Sequence, residues 1–220
     1  DTELDEFLMQ RIKAMTSSKH IITDAVIEAS GSPPQTLTRI TEGFSNEVYA
    51  VTTTDGQRLI VRIHWYQSPH FEQERWALDQ CIQVGVPVPR ILLLRHNVPG
   101  EVPRSICVET HLEGQALHSL IVSNALSVPE AYPIIVAAGE LLTQVHSIPT
   151  TGFGRIDAHG RGPASSRLAY LQNISTPQLY QAAKNLSLEI ADIDEAIEIL
   201  RAQLALWENI SPRLLHGDFS

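Results

Sequence analysis

The chain has 220 residues, of which 43% are hydrophobic and 19% charged, and its formal net charge is -9 at pH 7. This composition is typical of one globular domain or two small ones with enough apolar material for a core. The negative charge argues against a nucleic-acid binder, which presents a basic face, and no apolar run reaches the roughly 18 residues of a membrane span. We therefore expect neither nucleic acid nor membrane as a partner. Cys81 and Cys107 lack metal-site spacing and fit buried thiols in a reducing cytoplasm.

The first half of the chain predicts a helical segment followed by a mostly antiparallel sheet. Apolar residues at helical spacing predict helix within residues 4–30, and the Gly-Ser-Pro-Pro sequence at 31–34 ends it. An Asp-Gly turn at 54–57 joins two of the strands, and a helix is expected at 71–84. The strand at 58–64 is apolar enough to be central in the sheet. The expected strands are 36–41, 47–53, 58–64, 91–95 and 105–110, with a polar turn at 97–100.

The second half is predominantly helical. A Gly-rich loop is expected at 150–163, and Pro133 is expected near the first turn of its helix, where proline is tolerated. The expected helices are 116–125, 129–147, 165–171, 178–186 and 192–209. These patterns predict an N-terminal helical segment at 1–34, a sheet lobe at 35–112 and a partial helical lobe at 113–220.

The segment between the first two strands carries a candidate phosphate loop. Gly43 lets backbone N–H groups approach an anion, Ser45 adds a hydroxyl donor, and Asn46 follows it. Phosphate oxygens bind to such an arrangement. With a single glycine the pattern is also that of an ordinary hairpin, and this alternative stays open.

A cation stands in the middle of the strand at 58–64. If Arg62 is buried, it requires a partner and can neutralise nucleotide phosphates; if the strand lies at an edge, Arg62 faces water. Glu74, on the helix that follows, can be the partner carboxylate because it lies one turn before Leu78. A solvated glutamate is the alternative.

Two further positions complete the candidate site. Glu109 and His111 lie where the last strand passes into the helical part, and their backbone groups could pair with a nucleotide base; a plain connection is the alternative. The sequence His216-Gly217-Asp218 lies two residues before the end. An aspartate there can accept a hydroxyl proton and align that oxygen on a γ-phosphorus, or it can simply cap a turn.

Taken together, these residues resemble the aminoglycoside phosphotransferase and choline kinase family, with some features of hygromycin phosphotransferases. The resemblance extends from Ile40 to Ser220. It rests on the Gly-Phe-Ser-Asn-Glu-Val-Tyr loop at 43–49, Arg62 in Leu-Ile-Val-Arg-Ile, Glu74, Val-Pro-Val-Pro-Arg at 86–90, the hinge at 108–114, Thr-Gly-Phe-Gly at 151–154 and the His216-Gly217-Asp218 triplet.

The resemblance implies an α+β, protein-kinase-like fold of two lobes: an antiparallel N-lobe sheet with one helix, then a helical C-lobe that is incomplete in this chain. It assigns catalysis to Asp218 and His216. Nucleotide binding falls to Gly43, Ser45, Asn46, Arg62, Glu74, Glu109 and His111.

The expected cofactor is Mg²⁺ with ATP or GTP, and the expected acceptor is a small hydroxylated molecule, most simply an aminoglycoside-type antibiotic. The family's metal-binding residues would follow Ser220, so we expect no complete metal site within this chain, a truncation inside the catalytic loop, and no activity from these 220 residues alone. Three alternatives stay open: a kinase-like nucleotide-binding protein without catalysis, a kinase of an amino alcohol, macrolide or sugar, and an unrelated α+β protein. The oligomeric state is not predicted.

Overall fold

The computed structural model describes residues 16–41, 46–64, 70–98, 104–172, 176–186, 189–203 and 210–217. The chain divides into two compact units, Asp1–Ala137 and Ala138–Ser220.

The first unit is built on a five-stranded antiparallel sheet in the order β1-β2-β3-β5-β4. β3 is central, as its apolar sequence predicts. The bounds of β2 and β3 are those expected from the sequence, and the helix after β3 begins one residue early. The elements are α1 (Lys19–Ser30), β1 (Pro34–Ile40), β2 (Glu47–Thr53), β3 (Arg58–His64), α2 (His70–Gln83), β4 (Ile91–Val98), β5 (Arg104–Thr110) and α3 (Leu117–Val122).

One face of this sheet forms the hydrophobic core with α1. Side chains alternate along a strand, so Leu59, Val61 and Ile63 of β3 share one face, and all three are buried. Helix α1 packs Ile22 and Val26 against this face, each with no exposed surface. Burying a side chain of this size contributes about 1.5–3 kcal/mol. The even-numbered positions of β3 therefore point to the other side of the sheet.

The boundary between the units falls within α4 (Val128–Ser147). In the second unit the helices α5 (Arg167–Gln172), α6 (Thr176–Asn185) and α7 (Ile190–Gln203) follow a compact loop. This loop is closed by bridges between Thr151 and Arg161 and between Phe153 and Ala164. No helix within the described ranges is both long and apolar enough to cross a membrane.

Several element ends differ from the sequence-based expectation. α3 ends at Val122, three residues early, because the chain turns through Asn124 with φ +54°. β4 continues through Val98, where a turn was expected, because Arg95 and Val98 still pair with β5. Pro133 lies inside α4 beyond its first turn, where it cannot donate to the carbonyl four residues back. Residues 16–18 belong to the helix expected over 4–30 but are not helical, because Ser18 is extended with ψ 141° and α1 begins only at Lys19. The remaining expected helical residues, 4–15 and 204–209, lie outside the described residues.

Candidate functional site

Arg62 lies on the face of the sheet opposite the α1 core. It occupies the middle of β3 and is paired in register with Cys107 of β5. Because side chains alternate, Glu109, two residues further along β5, points to the same side. The Arg62 side chain is 17% exposed. This excludes the alternative of an edge-strand arginine facing water.

The guanidinium of Arg62 binds two carboxylates through one nitrogen. Its Nη2 donates to Glu74 Oε1 and to Glu109 Oε2, each at 2.8 Å. The contact with Glu74, from α2, is the one expected from the sequence. The ring of Phe71, also on α2, lies 5.1 Å from Arg62 Cζ, a favourable distance for a cation over an aromatic face.

Burial and these contacts shift the pKa values of Arg62, Glu109 and Cys107. Burial alone would lower the pKa of Arg62, but the hydrogen bond that Arg62 donates to Glu74 and the charge of Glu109 raise it, so the guanidinium stays charged. Burial raises the pKa of Glu109 above its ordinary value, although Arg62 opposes this shift. Burial also raises the pKa of the Cys107 thiol to about 12.

One donor of Arg62 is left without an acceptor. Its Nε is buried and has no hydrogen-bond partner. A buried polar group left in this way costs about 1–3 kcal/mol, and such groups are rare in proteins. A charged guanidinium with an unsatisfied N–H fits an incoming anion, since arginine binds phosphate oxygens through parallel N–H donors.

The described end of the candidate phosphate loop contacts the last residue of β3. Asn46 Oδ1 lies 3.0 Å from His64 Nδ1 at the end of β3. The His64 ring meets Phe71 edge-on, with 6.4 Å between ring centroids. Asn46 is therefore joined to the Arg62 cluster through two aromatic rings. Gly43 and Ser45, the other predicted residues of this loop, lie outside the described residues.

The end of β5 is organised by Arg58 at the start of β3. The His111 N–H donates to the Arg58 carbonyl at 3.1 Å, so a contact between His111 and a nucleotide base has to use another group of that residue. Arg58 also forms an exposed ion pair with Glu113, with its Nη1 2.5 and 2.6 Å from the two carboxylate oxygens. The roles of Glu109 and His111 in base binding stay predictions.

The approach to the predicted catalytic loop is held within the second unit. The Leu214 N–H donates to the Ile148 carbonyl at 2.9 Å, and Pro149 is bridged to Arg213. Leu214 is buried, whereas His216 is exposed. Asp218 lies outside the described residues, so its catalytic role stays a prediction.

Sequence reasoning missed two parts of this site. Glu109 was expected to contribute only its backbone groups, yet its side chain binds Arg62. The available signal was its position on a buried face of the strand, because a buried carboxylate requires a hydrogen-bond donor. The second is a contact of His96 on β4, whose Nε2 lies 2.9 Å from Glu72 Oε1 and whose Nδ1 lies 3.3 Å from Ser105 Oγ. This contact attaches α2 to the sheet, and no short sequence pattern indicates it.

A model of the phosphotransferase enzyme family matches residues 36–220, so the chain belongs to this family. This confirms the resemblance found in the sequence, and with it the α+β, protein-kinase-like fold class. Among 26 matching chains of solved structures is amicoumacin kinase hAmiN in complex with AMP-PNP, Ca²⁺ and Ami, at 18% identity and a TM-score of 0.41. The match covers 49% of this chain and 35% of that chain. A search of curated proteins found no match.

Proposed function

We propose that this chain is the nucleotide-binding part of an ATP- or GTP-dependent O-phosphotransferase that acts on a small hydroxylated molecule. The observation that carries the proposal is the Arg62 cluster. A partly buried cation, held by a helix carboxylate and with an unpaired Nε–H, stands in the central strand of a sheet from this family. Such a group neutralises phosphate charge at a fixed position, and fixed positioning is most of what phosphoryl transfer requires.

In the proposed reaction the chain's residues hold the nucleotide and remove one proton. Arg62 and the backbone of 43–46 bind phosphates, Glu74 orients Arg62, and the backbone near Glu109 and His111 contacts the base. Asp218, in the loop that contains His216, accepts the proton of the acceptor hydroxyl. The acceptor oxygen then bonds to the γ-phosphorus while the bond from that phosphorus to the nucleoside diphosphate breaks.

Mg²⁺ bound with the nucleotide belongs to the proposal, since it neutralises charge on the β and γ phosphates in this reaction class. Within the described ranges no group of three or more His, Cys, Asp or Glu side chains could hold a metal ion. Every step above is therefore assigned to the chain's own residues.

The proposed acceptor is an aminoglycoside-type antibiotic. The family resemblance supports this class, and a chain of net charge -9 attracts a polycationic molecule. Amino alcohols, macrolides and sugars are the competing acceptors. Measuring phosphate transfer from ATP and GTP to one member of each class distinguishes them, and nucleotide binding without transfer to any of them favours a binding protein. A cytoplasmic location and the lobe boundaries 35–112 and 113–220 complete the proposal.

We expect Arg62→Met to weaken Mg-ATP or Mg-GTP binding by about 10- to 100-fold, because a charge-assisted hydrogen bond contributes about 1.5–3 kcal/mol. Isothermal titration calorimetry measures the effect. Arg62→Lys keeps the charge but not the forked donors, so it should give an intermediate loss of nucleotide affinity. This variant replaces Arg62→Met in the test if the methionine variant does not fold.

Arg95→Met is the matched control, because Arg95 also lies in a strand of this sheet and pairs with a carboxylate, Glu28. We expect wild-type nucleotide affinity from this variant. Unchanged affinity in a folded Arg62→Met protein would contradict the assignment of Arg62 to phosphate binding.

A further inference from the structure

Two carboxylates flank Arg62 in the candidate phosphate site. Arg62 Nη2 donates to Glu74 and Glu109 at the same distance, 2.8 Å. The Glu74 side chain is 35% exposed, whereas that of Glu109 is only 9% exposed. With both carboxylates ionised, the cluster has a net negative charge before any phosphate arrives.

An anion that binds Arg62 adds negative charge to this partly buried group. Charges interact more strongly in such a site than in water, because the effective dielectric constant is lower. The repulsion is relieved if one carboxylate takes up a proton. Protonation costs less hydration free energy at the less solvated carboxylate of the two. That group is Glu109.

The other titratable groups that face Glu109 are less suited to take up this proton. They are Arg62 on β3, Glu74 on α2 and Cys107 on β5. Arg62 is already charged, and the Cys107 thiol already holds its proton because burial raises its pKa to about 12. Glu74 is the more solvated carboxylate. Burial, with the charge of Glu74 in addition, also raises the pKa of Glu109, although Arg62 opposes this shift.

We propose that binding of a nucleotide phosphate at Arg62 is accompanied by uptake of a proton at Glu109. Glu109 is then a positioning residue that holds Arg62 in the free protein and releases part of its charge to the phosphate. This inference rests on the proposed function. Uptake of a proton at Glu109 makes nucleotide affinity fall, by at most about tenfold per pH unit, between the pKa of Glu109 in the free protein and its higher pKa in the complex, and affinity levels off above that range.

The experiment is calorimetric titration of the 220-residue chain with AMP-PNP in buffers of different ionisation enthalpy, which counts the protons taken up. We expect Glu109→Gln to take up fewer protons than wild type, by up to one, and to bind no more weakly at pH 8. The nucleotide's own ionisation is the same in both titrations and cancels in the difference. Glu113→Gln is the matched control, because it removes an exposed carboxylate from the Arg58 pair; we expect the wild-type proton count.

Equal proton counts for wild type and Glu109→Gln would overturn the inference, as would a loss of uptake in Glu74→Gln alone. If AMP-PNP binds and the proton counts of wild type and Glu109→Gln do not differ, only this inference is overturned. If no nucleotide binds, the proposed function is overturned as well. If Glu109→Gln does not fold, the NMR chemical shift of the Glu109 carboxyl ¹³C in the wild-type protein tests the inference instead. It should move towards the protonated value when AMP-PNP is added, and an unchanged shift contradicts the proposal.

Discussion

Glu47, the first residue of β2, is a carboxylate buried in the first unit with 2% of its surface exposed. It accepts hydrogen bonds from Ser17 N and Ser17 Oγ, both at 2.8 Å, and from the Tyr49 hydroxyl. Arg104 Nη1 donates to the same Ser17 Oγ at 3.1 Å. Side chains from β2 and β5 thus fix Ser17, two residues before α1, the helix that covers the core face of the sheet.

We expect Tyr49→Phe to destabilise the protein by about 1–3 kcal/mol, because it removes one hydrogen-bond donor from the buried Glu47 carboxylate. Urea unfolding followed by circular dichroism measures the loss. Tyr132→Phe is the control, since that side chain is 68% exposed, and its effect should stay within about 0.5 kcal/mol. Equal stability of Tyr49→Phe and wild type would mean that the hydroxyl contributes nothing.

The same hydroxyl also predicts a pH dependence. Burial, then the hydrogen bond and charge of Glu47, raise the pKa of Tyr49 above its ordinary value of 10.0. Above that pH the unfolded chain releases the proton while the folded chain keeps it, so the free energy of unfolding falls as pH rises. Tyr49→Phe should lack this part of the alkaline loss.

The loop after α4 is held by close backbone contacts. The Gly162 N–H donates to the Thr151 carbonyl at 2.6 Å, and the Phe153 N–H donates to the Ala164 carbonyl at 2.8 Å. A Cβ on Gly162 would lie 2.5 Å from the Phe153 carbonyl oxygen. Glycine is required here because two backbone segments touch.

We therefore expect Gly162→Ala to cost about 1–3 kcal/mol, as overpacking does. Gly139→Ala is the matched control: Gly139 lies in α4 with nothing within 4 Å of its added Cβ. It should be neutral or stabilising by up to about 1 kcal/mol, because alanine is the better helix former. Thermal unfolding compares the two, and a larger loss for Gly139→Ala would contradict this account of the loop.

Local sequence patterns predicted which helices and strands form better than they predicted where these elements end or which residues contact one another across them. The bounds of β2 and β3 follow from side-chain alternation around an Asp-Gly turn, where Gly56 has φ +86°. The pairing of Arg62 with Glu74 was predictable because the two are twelve positions apart on consecutive elements. The contact with Glu109 spans 47 positions and depends on the register between β3 and β5. Alternation within a strand does not fix that register.

Burial is uneven between the two units. Among the described residues, the core cluster lies entirely in the first unit, from α1, β2, β3 and β5. In the second unit the buried apolar residues are Ile148, Ala164, Ala183 and Leu214. Large side chains on its helices, such as Ile199 at 55%, are exposed. Family membership was predictable from motif order, whereas this distribution of burial was not, because it depends on which helical faces find partners.

Hydrogen exchange should report this difference. We expect amides of β2, β3 and β5 to exchange slowest, at rates set by global unfolding, and those of α5, α6 and α7 to exchange much faster through local opening. Mass spectrometry of peptic fragments resolves these segments. Equal protection of α7 and β3 would show that the second unit is as stable as the sheet.

The buried thiol of Cys107 limits how this site can be targeted with irreversible inhibitors. Its sulfur lies 3.8 Å from Arg62 Nη2, an attractive anchor for an electrophilic warhead. Alkylation requires a thiolate, however, and burial keeps this group protonated near neutral pH by raising its pKa to about 12. A medicinal chemist would therefore gain more from a reversible anion that pairs with the Arg62 guanidinium than from an acrylamide aimed at the neighbouring sulfur.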